Sequence, residues 1–156
     1  MDPKTVKRIL VPTDFTDPSN EALETAISFA RVSGGTLDLV HVAGETTYVL
    51  PPPIGFAVLP LGASGELARA ADGLAVEERR VREAGVACES ATLVGQADVE
   101  IVRRARETAA DLIVMGTHGR SGLAHALMGS VAEKVVQHGP CPILIVPRLE
   151  TTAGGA

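Results

Sequence analysis

The sequence predicts an α/β protein with an open, doubly wound, five-stranded parallel sheet that carries helices on both faces. Three observations support this prediction. Five short apolar runs alternate with four stretches of helical periodicity, an order typical of parallel strands joined by helical crossovers. The chain has three Phe, one Tyr and no Trp, so its core must consist of Val, Leu, Ile and Ala, as in strands buried on both faces. At 156 residues the chain is long enough to bury one substantial core.

The first two strands flank the first helix. Residues 6–12 form a strand around an Ile-Leu-Val run, and Asp17 followed by Pro18 favours a helix start, with Asp as the cap and Pro at the first helical position. Two glycines at 34–35 end that helix. Residues 36–42 form the second strand, whose partial alternation predicts a position nearer to solvent than that of the first.

A long segment rich in Pro and Gly follows at residues 43–65. A loop of this length in a compact domain is usually functional or disordered, and its apolar side chains argue against full disorder. We interpret it as a lid or packing flap. The next helix, at 66–84, carries the run Glu-Glu-Arg-Arg at 77–80, which we interpret as its solvated face.

The rest of the chain completes the alternation of strands and helices. It contains strands at 86–94, 112–115 and 142–147 and helices at 98–108 and 131–138. We therefore expect a single domain over residues 5–148, followed by a flexible tail at 149–156.

Composition and charge exclude several classes of function. The formal net charge of −5 opposes binding to a polyanion, so nucleic acid is not expected as a partner. Cys88 and Cys141 have no spacing typical of a disulfide framework or a metal site, and we expect buried or half-buried thiols. No run of about 18 apolar residues and no secretory leader is present, so we expect a cytoplasmic protein without a membrane segment.

The stretch from residue 111 to residue 131 predicts a phosphate site. An apolar strand is broken at once by Gly116 and Gly119, and Ser130 with Glu133 fits a capping box at the start of a helix. A glycine loop that leads to the amides of a helix N-terminus is suited to an anionic phosphate. The alternative is structural, because glycine and serine are common in any connection from a strand to a helix.

Other catalytic and binding motifs are missing. The chain has no Gly-Lys pair for a Walker A loop, no G-x-G-x-x-G after a strand and no G-x-S-x-G elbow. Its four histidines lack metal-ligand spacing, although His118 and His125 lie in the predicted phosphate region. No general base stands out. We therefore predict no catalytic residue and no metal site, which favours a binding module over an efficient enzyme.

The glycine spacing resembles that of a known family. Gly116, two residues, Gly119, nine residues, then Gly129 and Ser130 is similar to the G-2x-G-9x-G-S/T signature of the nucleotide-binding branch of the universal stress protein family. The opening at 9–14 and the close at 141–147 also resemble that family, and the likeness covers residues 5–148. It implies a Rossmann-like sheet of strand order 3-2-1-4-5, in which ligands bind at the carboxyl ends where the order reverses.

The resemblance further implies that this crevice binds an adenine nucleotide, ATP or AMP. On the nucleoside side, the carboxylate of Asp14 would accept a hydrogen bond from ribose or adenine, and the backbone of Val42 would read the adenine edge. The matching positions on this side are Pro12, Thr13, Asp14, Val42, Met115 and Gly116.

On the phosphate side, backbone amides and one hydroxyl would bind the phosphates, and Mg²⁺ would join through them. The matching positions are Gly119, Gly129, Ser130 and Val131, with Arg120 at the terminal phosphate. A surface position for Arg120 is the alternative. Only Arg120 and Lys134 are available to compensate charge in phosphoryl transfer, so we expect at most slow hydrolysis.

These implications define a leading function and two alternatives. The leading one is an ATP-binding stress-response or signalling module, a homodimer joined through the apolar strand at 142–147. The alternatives are an ATPase or adenylyl-transferring enzyme of the same fold, and an interaction protein with a vestigial site. The last strand also has an alternative: its edge can be shielded by the last helix or by the tail.

Overall fold

A computed structural model describes residues 2, 5–44, 48–49, 56–57, 63–118 and 128–148. The strands are β1 (Arg8–Pro12), β2 (Thr36–Ala43), β3 (Tyr48–Val49), β4 (Phe56–Ala57), β5 (Ala87–Val94), β6 (Leu112–Gly116) and β7 (Ile143–Val146). The helices are α1 (Asp17–Ser33), α2 (Ala63–Glu83), α3 (Ala97–Glu107) and α4 (Ser130–His138). The predicted tail at 149–156 lies outside the described residues.

Five of these strands form one parallel sheet in the order β5-β2-β1-β6-β7. Counted among those five strands alone, this is the order 3-2-1-4-5, so the predicted fold class is confirmed. In chain order, β2 and then β5 are added on one side of β1, and β6 and then β7 are added on its other side. The carboxyl ends of β1 and β6 therefore border the point where the order reverses, which is where such sheets bind ligands.

The core lies on both faces of this sheet. Alternate residues of β1 point to opposite faces: Ile9 and Val11 pack with buried side chains of α1 and α2, whereas Leu10 packs with those of α3 and α4. Because helices cover both faces, the inner strands read as continuous apolar runs.

The second strand is buried, so the expectation that it lies nearer to solvent is wrong. Its residues from Leu37 to His41 are all buried, because β2 lies between β1 and β5 with helices above and below. Its two buried polar residues have hydrogen-bond partners. Asp38 accepts two hydrogen bonds of 2.9 Å from Arg104, and His41 Nδ1 donates to the carbonyl of Thr13 at 2.9 Å.

Two predicted details of the helices are also wrong. Thr16, not Asp17, occupies the N-cap position of α1, with extended backbone, and Asp17 lies in the first turn. The hydroxyl of Thr16 instead donates to the carboxylate of Asp14. In α2, Glu77 is 6% exposed, so the run at 77–80 is not a uniformly solvated face.

The segment predicted as a long loop is shortened at both ends. β2 continues to Ala43, and α2 begins at Ala63, three residues earlier than expected. Between them, β3 and β4 form a two-stranded antiparallel pair. Within the ranges described, no helix is long and apolar enough to cross a membrane.

Candidate functional site

A cavity of about 320 Å³ lies at the carboxyl ends of β1, β2 and β6, where the strand order reverses. Its walls come from these three strands and from the N-terminal parts of α1, α2, α3 and α4. The lining residues are Pro12, Thr13, Asp14, Ser19, Val40, His41, Val42, Gly44, Glu66, Ala97, Ile101, Met115, Gly116, Thr117, His118, Gly129, Ser130, Val131 and Ala132.

Nine of the eleven residues predicted for the site line this cavity. They are Pro12, Thr13, Asp14, Val42, Met115, Gly116, Gly129, Ser130 and Val131. The remaining two, Gly119 and Arg120, lie outside the described residues. The structure thus brings together positions from four separate parts of the chain, while their contact with a ligand stays a prediction.

The loop after β1 is held by its own side chains. The Thr13 hydroxyl accepts a hydrogen bond from the backbone N–H of Phe15 at 3.1 Å, and Asp14 Oδ1 accepts one from the N–H of Thr16 at 3.1 Å. Phe15 has a φ of 64°, which is uncommon for a residue with a side chain. These local bonds offset the cost of that conformation and leave Asp14 at the cavity wall.

Val42 presents its backbone to the cavity. Pro12, the last residue of β1, pairs with Val40, and the N–H of Thr13 donates to the Val40 carbonyl at 2.8 Å. In a parallel ladder every second residue bonds to the same neighbour, so the N–H and C=O of Val42 point to the side on which β1 has already ended. They form a donor and acceptor pair at the cavity edge.

The glycine at the end of β6 has a packing role that the sequence did not reveal. A Cβ at Gly116 would lie 2.9 Å from the carbonyl oxygen of Pro18 in the first turn of α1. A side chain there would push the strand end away from α1. Gly116 is therefore needed for close approach of two protein segments, whatever it contributes to a ligand.

The predicted capping box at the start of α4 is wrong. Gly129 is the N-cap, with a φ of −72° and a ψ of 156°, and no side-chain cap bond is made. Ser130 is therefore already the first helical residue, one position too late to cap. Its exposed hydroxyl and the first-turn amides of α4 face the cavity, since Ser130, Val131 and Ala132 line it. The N–H of Gly129 donates to the Thr117 carbonyl at 2.6 Å, which ties the helix start to the end of β6.

The charged side chains on the described wall are acidic. Asp14 and Glu66 line the cavity together with His41 and His118, and no Lys or Arg is among the described lining residues. Lys134, the second candidate cation, lies 3.9 Å from Asp98 and is not part of the wall. Positive potential on the described wall therefore comes from helix N-termini, and that of α4 lies at the predicted phosphate positions Gly129, Ser130 and Val131.

Sequence reasoning missed several lining residues. Ser19, Glu66, Ala97 and Ile101 come from helices packed over the strand ends, and no local motif marks them. His41 and Thr117 had a usable signal, because each lies next to a predicted site residue at a strand end. In the part of the chain that the structure covers, no cluster of three or more His, Cys, Asp or Glu could hold a metal ion.

Comparison with known proteins agrees with this fold. The model of the universal stress protein family matches residues 5–147. Universal stress protein MJ0531 of Methanocaldococcus jannaschii is 36% identical over 142 residues, covering 91% of this chain and 82% of that protein.

Solved structures of similar proteins include two with adenine nucleotides. A universal stress protein in complex with cAMP has a TM-score of 0.66 at 27% identity. The match covers 91% of this chain and 97% of that protein chain. The universal stress protein from Archaeoglobus fulgidus in complex with dAMP has a TM-score of 0.65 at 25% identity, with coverages of 89% and 96%. The family match over nearly the whole domain, together with the strand order, shows that this chain belongs to the universal stress protein family.

Proposed function

We propose that the cavity binds an adenine nucleotide, ATP or AMP, and that the protein is a nucleotide-dependent stress-response or signalling module. The observation that carries this proposal is the convergence of nine predicted residues on one cavity at the switch point of the sheet. A cytoplasmic location belongs to the same proposal, as does a single domain over residues 5–148.

The nucleoside side supports an adenine base. The outward N–H and C=O of Val42 match the N1 acceptor and the amino donor that adenine presents side by side. Met115 is 6% exposed and supplies an apolar contact for the base or sugar. Asp14 offers a carboxylate to the ribose hydroxyls.

The phosphate side of the cavity can bind an anion through backbone amides, with no described Lys or Arg side chain on the wall. First-turn amides of α4 are oriented for a phosphate, and no side-chain cap occupies them. Because the described wall carries two carboxylates and no Lys or Arg, a triphosphate needs neutralisation from Arg120 or from Mg²⁺ bound through its own phosphates. The two nucleotide complexes of similar proteins, with cAMP and dAMP, point to the same class of ligand.

The decisive experiment is to denature protein purified without added nucleotide and identify the released small molecules by chromatography and mass spectrometry. Stoichiometric ATP or AMP is the expected result. Protein that releases nothing is then titrated with ATP by calorimetry. Failure of both measurements would reject the proposal and favour an interaction protein with a vestigial site.

A glycine variant tests the location of the phosphates. Gly129 has a φ of −72°, a conformation open to any residue, so a side chain there does not strain the backbone. We expect Gly129→Val to weaken ATP binding by roughly 100-fold or more, since it blocks close approach to the amides. Ala87→Val, at an exposed position on the opposite end of the sheet, is the control and should bind ATP like the wild type.

An enzyme of the same fold is the competing proposal, with ATP hydrolysis or adenylyl transfer as its reaction. The described wall has no Lys or Arg for the transferred group, which favours at most slow hydrolysis. Phosphate release above buffer that is abolished by Arg120→Ala would support the enzyme. Release at the buffer rate in the wild type would reject it.

A homodimer through residues 142–147 completes the proposal. Among the described strands, β7 pairs with β6 alone and forms the edge of the sheet, where Leu144 is 36% exposed. An apolar edge strand is an aggregation hazard unless it is covered, and pairing with its own copy covers it. Leu144→Lys should convert a dimer to a monomer in analytical ultracentrifugation. A wild type that sediments as a monomer would overturn this part of the proposal.

A further inference from the structure

Helix α2 is attached to the loop after β1 by two contacts on one of its faces. Gly73 leaves room for the ring of Phe15, because a Cβ at residue 73 would lie 2.7 Å from that ring. One turn further along, Glu77 Oε1 accepts a hydrogen bond of 3.0 Å from the Thr13 hydroxyl. Helix α2 thus contacts the loop that carries Asp14 directly.

Thr13 is held on all sides by buried partners. Its N–H donates to the carbonyl of Val40 at 2.8 Å, and its own carbonyl accepts from His41 Nδ1 at 2.9 Å. The His41 ring stacks on Phe15 with a centroid separation of 4.8 Å. Thr13 is therefore a positioning element for the cavity wall, and its hydroxyl donates to Glu77.

Glu77 is the incompletely satisfied member of this cluster. It is 6% exposed, and within the described residues its Oε2 is a buried atom without a hydrogen-bond partner. Burial raises the pKa of the Glu77 carboxyl, the Thr13 hydrogen bond and the positive charge of Arg80 oppose this rise, and the negative charge of Asp14 adds to it.

The cluster can be hydrogen-bonded in either protonation state of Glu77. When the carboxylate is ionised, the Thr13 hydroxyl donates to Oε1. When Oε1 carries a proton, Glu77 donates to Thr13, whose hydroxyl then turns to Ser19 Oγ at 3.3 Å. Ser19 accepts this bond because its own proton is donated to the carbonyl of Thr16 at 2.8 Å. Proton uptake by Glu77 therefore reverses the direction of its hydrogen bond with Thr13, and the contact between α2 and the loop is kept.

We propose that Glu77 positions the ligand-binding loop through Thr13, and that binding of an anionic nucleotide in the cavity is coupled to proton uptake by Glu77. This inference rests on the proposed function of the cavity. An anionic nucleotide in the cavity, whose wall includes Thr13 and Asp14, adds negative potential to the Glu77 carboxylate, which is already poorly solvated, and this favours the neutral form of Glu77. The nucleotide and the proton then bind cooperatively.

Among the described residues, charged and titratable groups near Glu77 lie on its own helix and on neighbouring elements. Arg80 lies on the same helix, Asp14 on the loop after β1 and His41 on β2. Cys88 on β5 also faces this region, where burial and the charge of Glu78, with a smaller effect of Glu77, raise its thiol pKa to about 12. Cys88 is therefore neutral at physiological pH. Glu77 and His41 are the buried titratable groups in direct contact with Thr13, and Glu77 is the one bonded to the Thr13 hydroxyl.

Calorimetric titration with ATP between pH 5.5 and 8 tests the coupling, in pairs of buffers that differ in ionisation enthalpy. The proteins compared are the wild type, Glu77→Gln, which mimics the protonated form, and Glu83→Gln, an exposed control on the same helix. We expect the affinity of the wild type to rise by up to tenfold for each unit of decreasing pH, with net proton uptake. Glu83→Gln should behave in the same way.

Glu77→Gln should retain the ATP affinity that the wild type has at low pH and lose the additional proton uptake. Proton exchange by the phosphates of ATP is common to all three proteins and cancels in the comparison. Equal pH dependence in Glu77→Gln and the wild type would overturn the coupling while leaving nucleotide binding intact. Absence of ATP binding by the wild type at every pH would overturn both this inference and the proposed function.

Discussion

Two carboxylates are buried in the described part of this domain, and they differ in their hydrogen-bond partners. Asp38 on β2 is 1% exposed, and both of its oxygens accept hydrogen bonds of 2.9 Å from the guanidinium of Arg104 on α3. Glu77 on α2 is 6% exposed, and it has one hydroxyl donor and one unpartnered oxygen. A buried carboxylate fixed by a bidentate cation is structural, whereas one fixed by a neutral hydroxyl can respond to charge nearby.

The first test of this contrast removes the paired carboxylate, and it has the largest expected effect. Asp38→Ala leaves Arg104 without its counter-ion and should lower the free energy of unfolding by about 3 kcal/mol in urea denaturation. The control is Glu89→Ala, which breaks the exposed pair of Glu89 with Arg8 and should cost less than about 1 kcal/mol. Equal losses in the two variants would mean that burial does not distinguish these ion pairs.

Neither buried carboxylate could be recognised from the sequence, although the fold could. The alternation of apolar runs and the glycine spacing depend on residues close together in the chain. The alternation predicted the parallel sheet and its helices correctly, and the family that the glycine spacing resembles implied the observed strand order. Asp38 is 66 residues from Arg104, and Glu77 is 64 residues from Thr13. Such pairs depend on which helix covers which strand. The run at 77–80 has the composition of a solvated face, and only the packing of α2 over β2 and β5 shows that Glu77 is buried.

The same limit explains the errors at the cavity. Gly129 and Ser130 were correctly located near the start of α4, but a shift of one residue in the N-cap removes the capping box. The glycine spacing predicts a ligand-binding role for Gly116. The structure adds a close approach to Pro18, which is 98 positions away in the chain. Positions at strand ends were therefore predictable, whereas the partners of their side chains were not.

The second test changes the contact between α2 and the loop. Gly73→Ala should lower the free energy of unfolding by about 1–3 kcal/mol, because the new Cβ displaces a Phe15 ring that is stacked on His41. The matched control is Gly65→Ala on the same helix, where an added Cβ meets no atom within 4 Å. It should stabilise by about 0.5–1 kcal/mol through helix propensity alone. If both variants are stabilised, Gly73 has no role in seating Phe15.

The third test concerns the pH dependence of stability in the absence of nucleotide. The pKa of Glu77 is raised in the folded protein above its ordinary value of 4.5, so its ionisation disfavours folding. Its contribution to stability is fully present below pH 4.5 and is lost as the pH rises through the folded-state pKa. The advantage of Glu77→Gln over the wild type should therefore be greatest at pH 8 and shrink toward pH 5. This change should be smaller than the effect of Gly73→Ala, and a constant difference in urea denaturation would contradict it.

The smallest effect is expected at Ser19, and it distinguishes the two hydrogen-bonding states of the cluster. Ser19→Ala removes a donor to the Thr16 carbonyl and an acceptor for Thr13, and should cost about 0.5–1.5 kcal/mol. The acceptor is needed only when Glu77 is protonated, so the cost should be larger at pH 5 than at pH 8. In a Glu77→Gln background the amide N–H donates to Thr13 at every pH, and the cost of Ser19→Ala should no longer depend on pH. A double-mutant cycle at the two pH values measures this, and the same pH-dependent cost in both backgrounds would show that Thr13 does not switch its donor between Glu77 and Ser19.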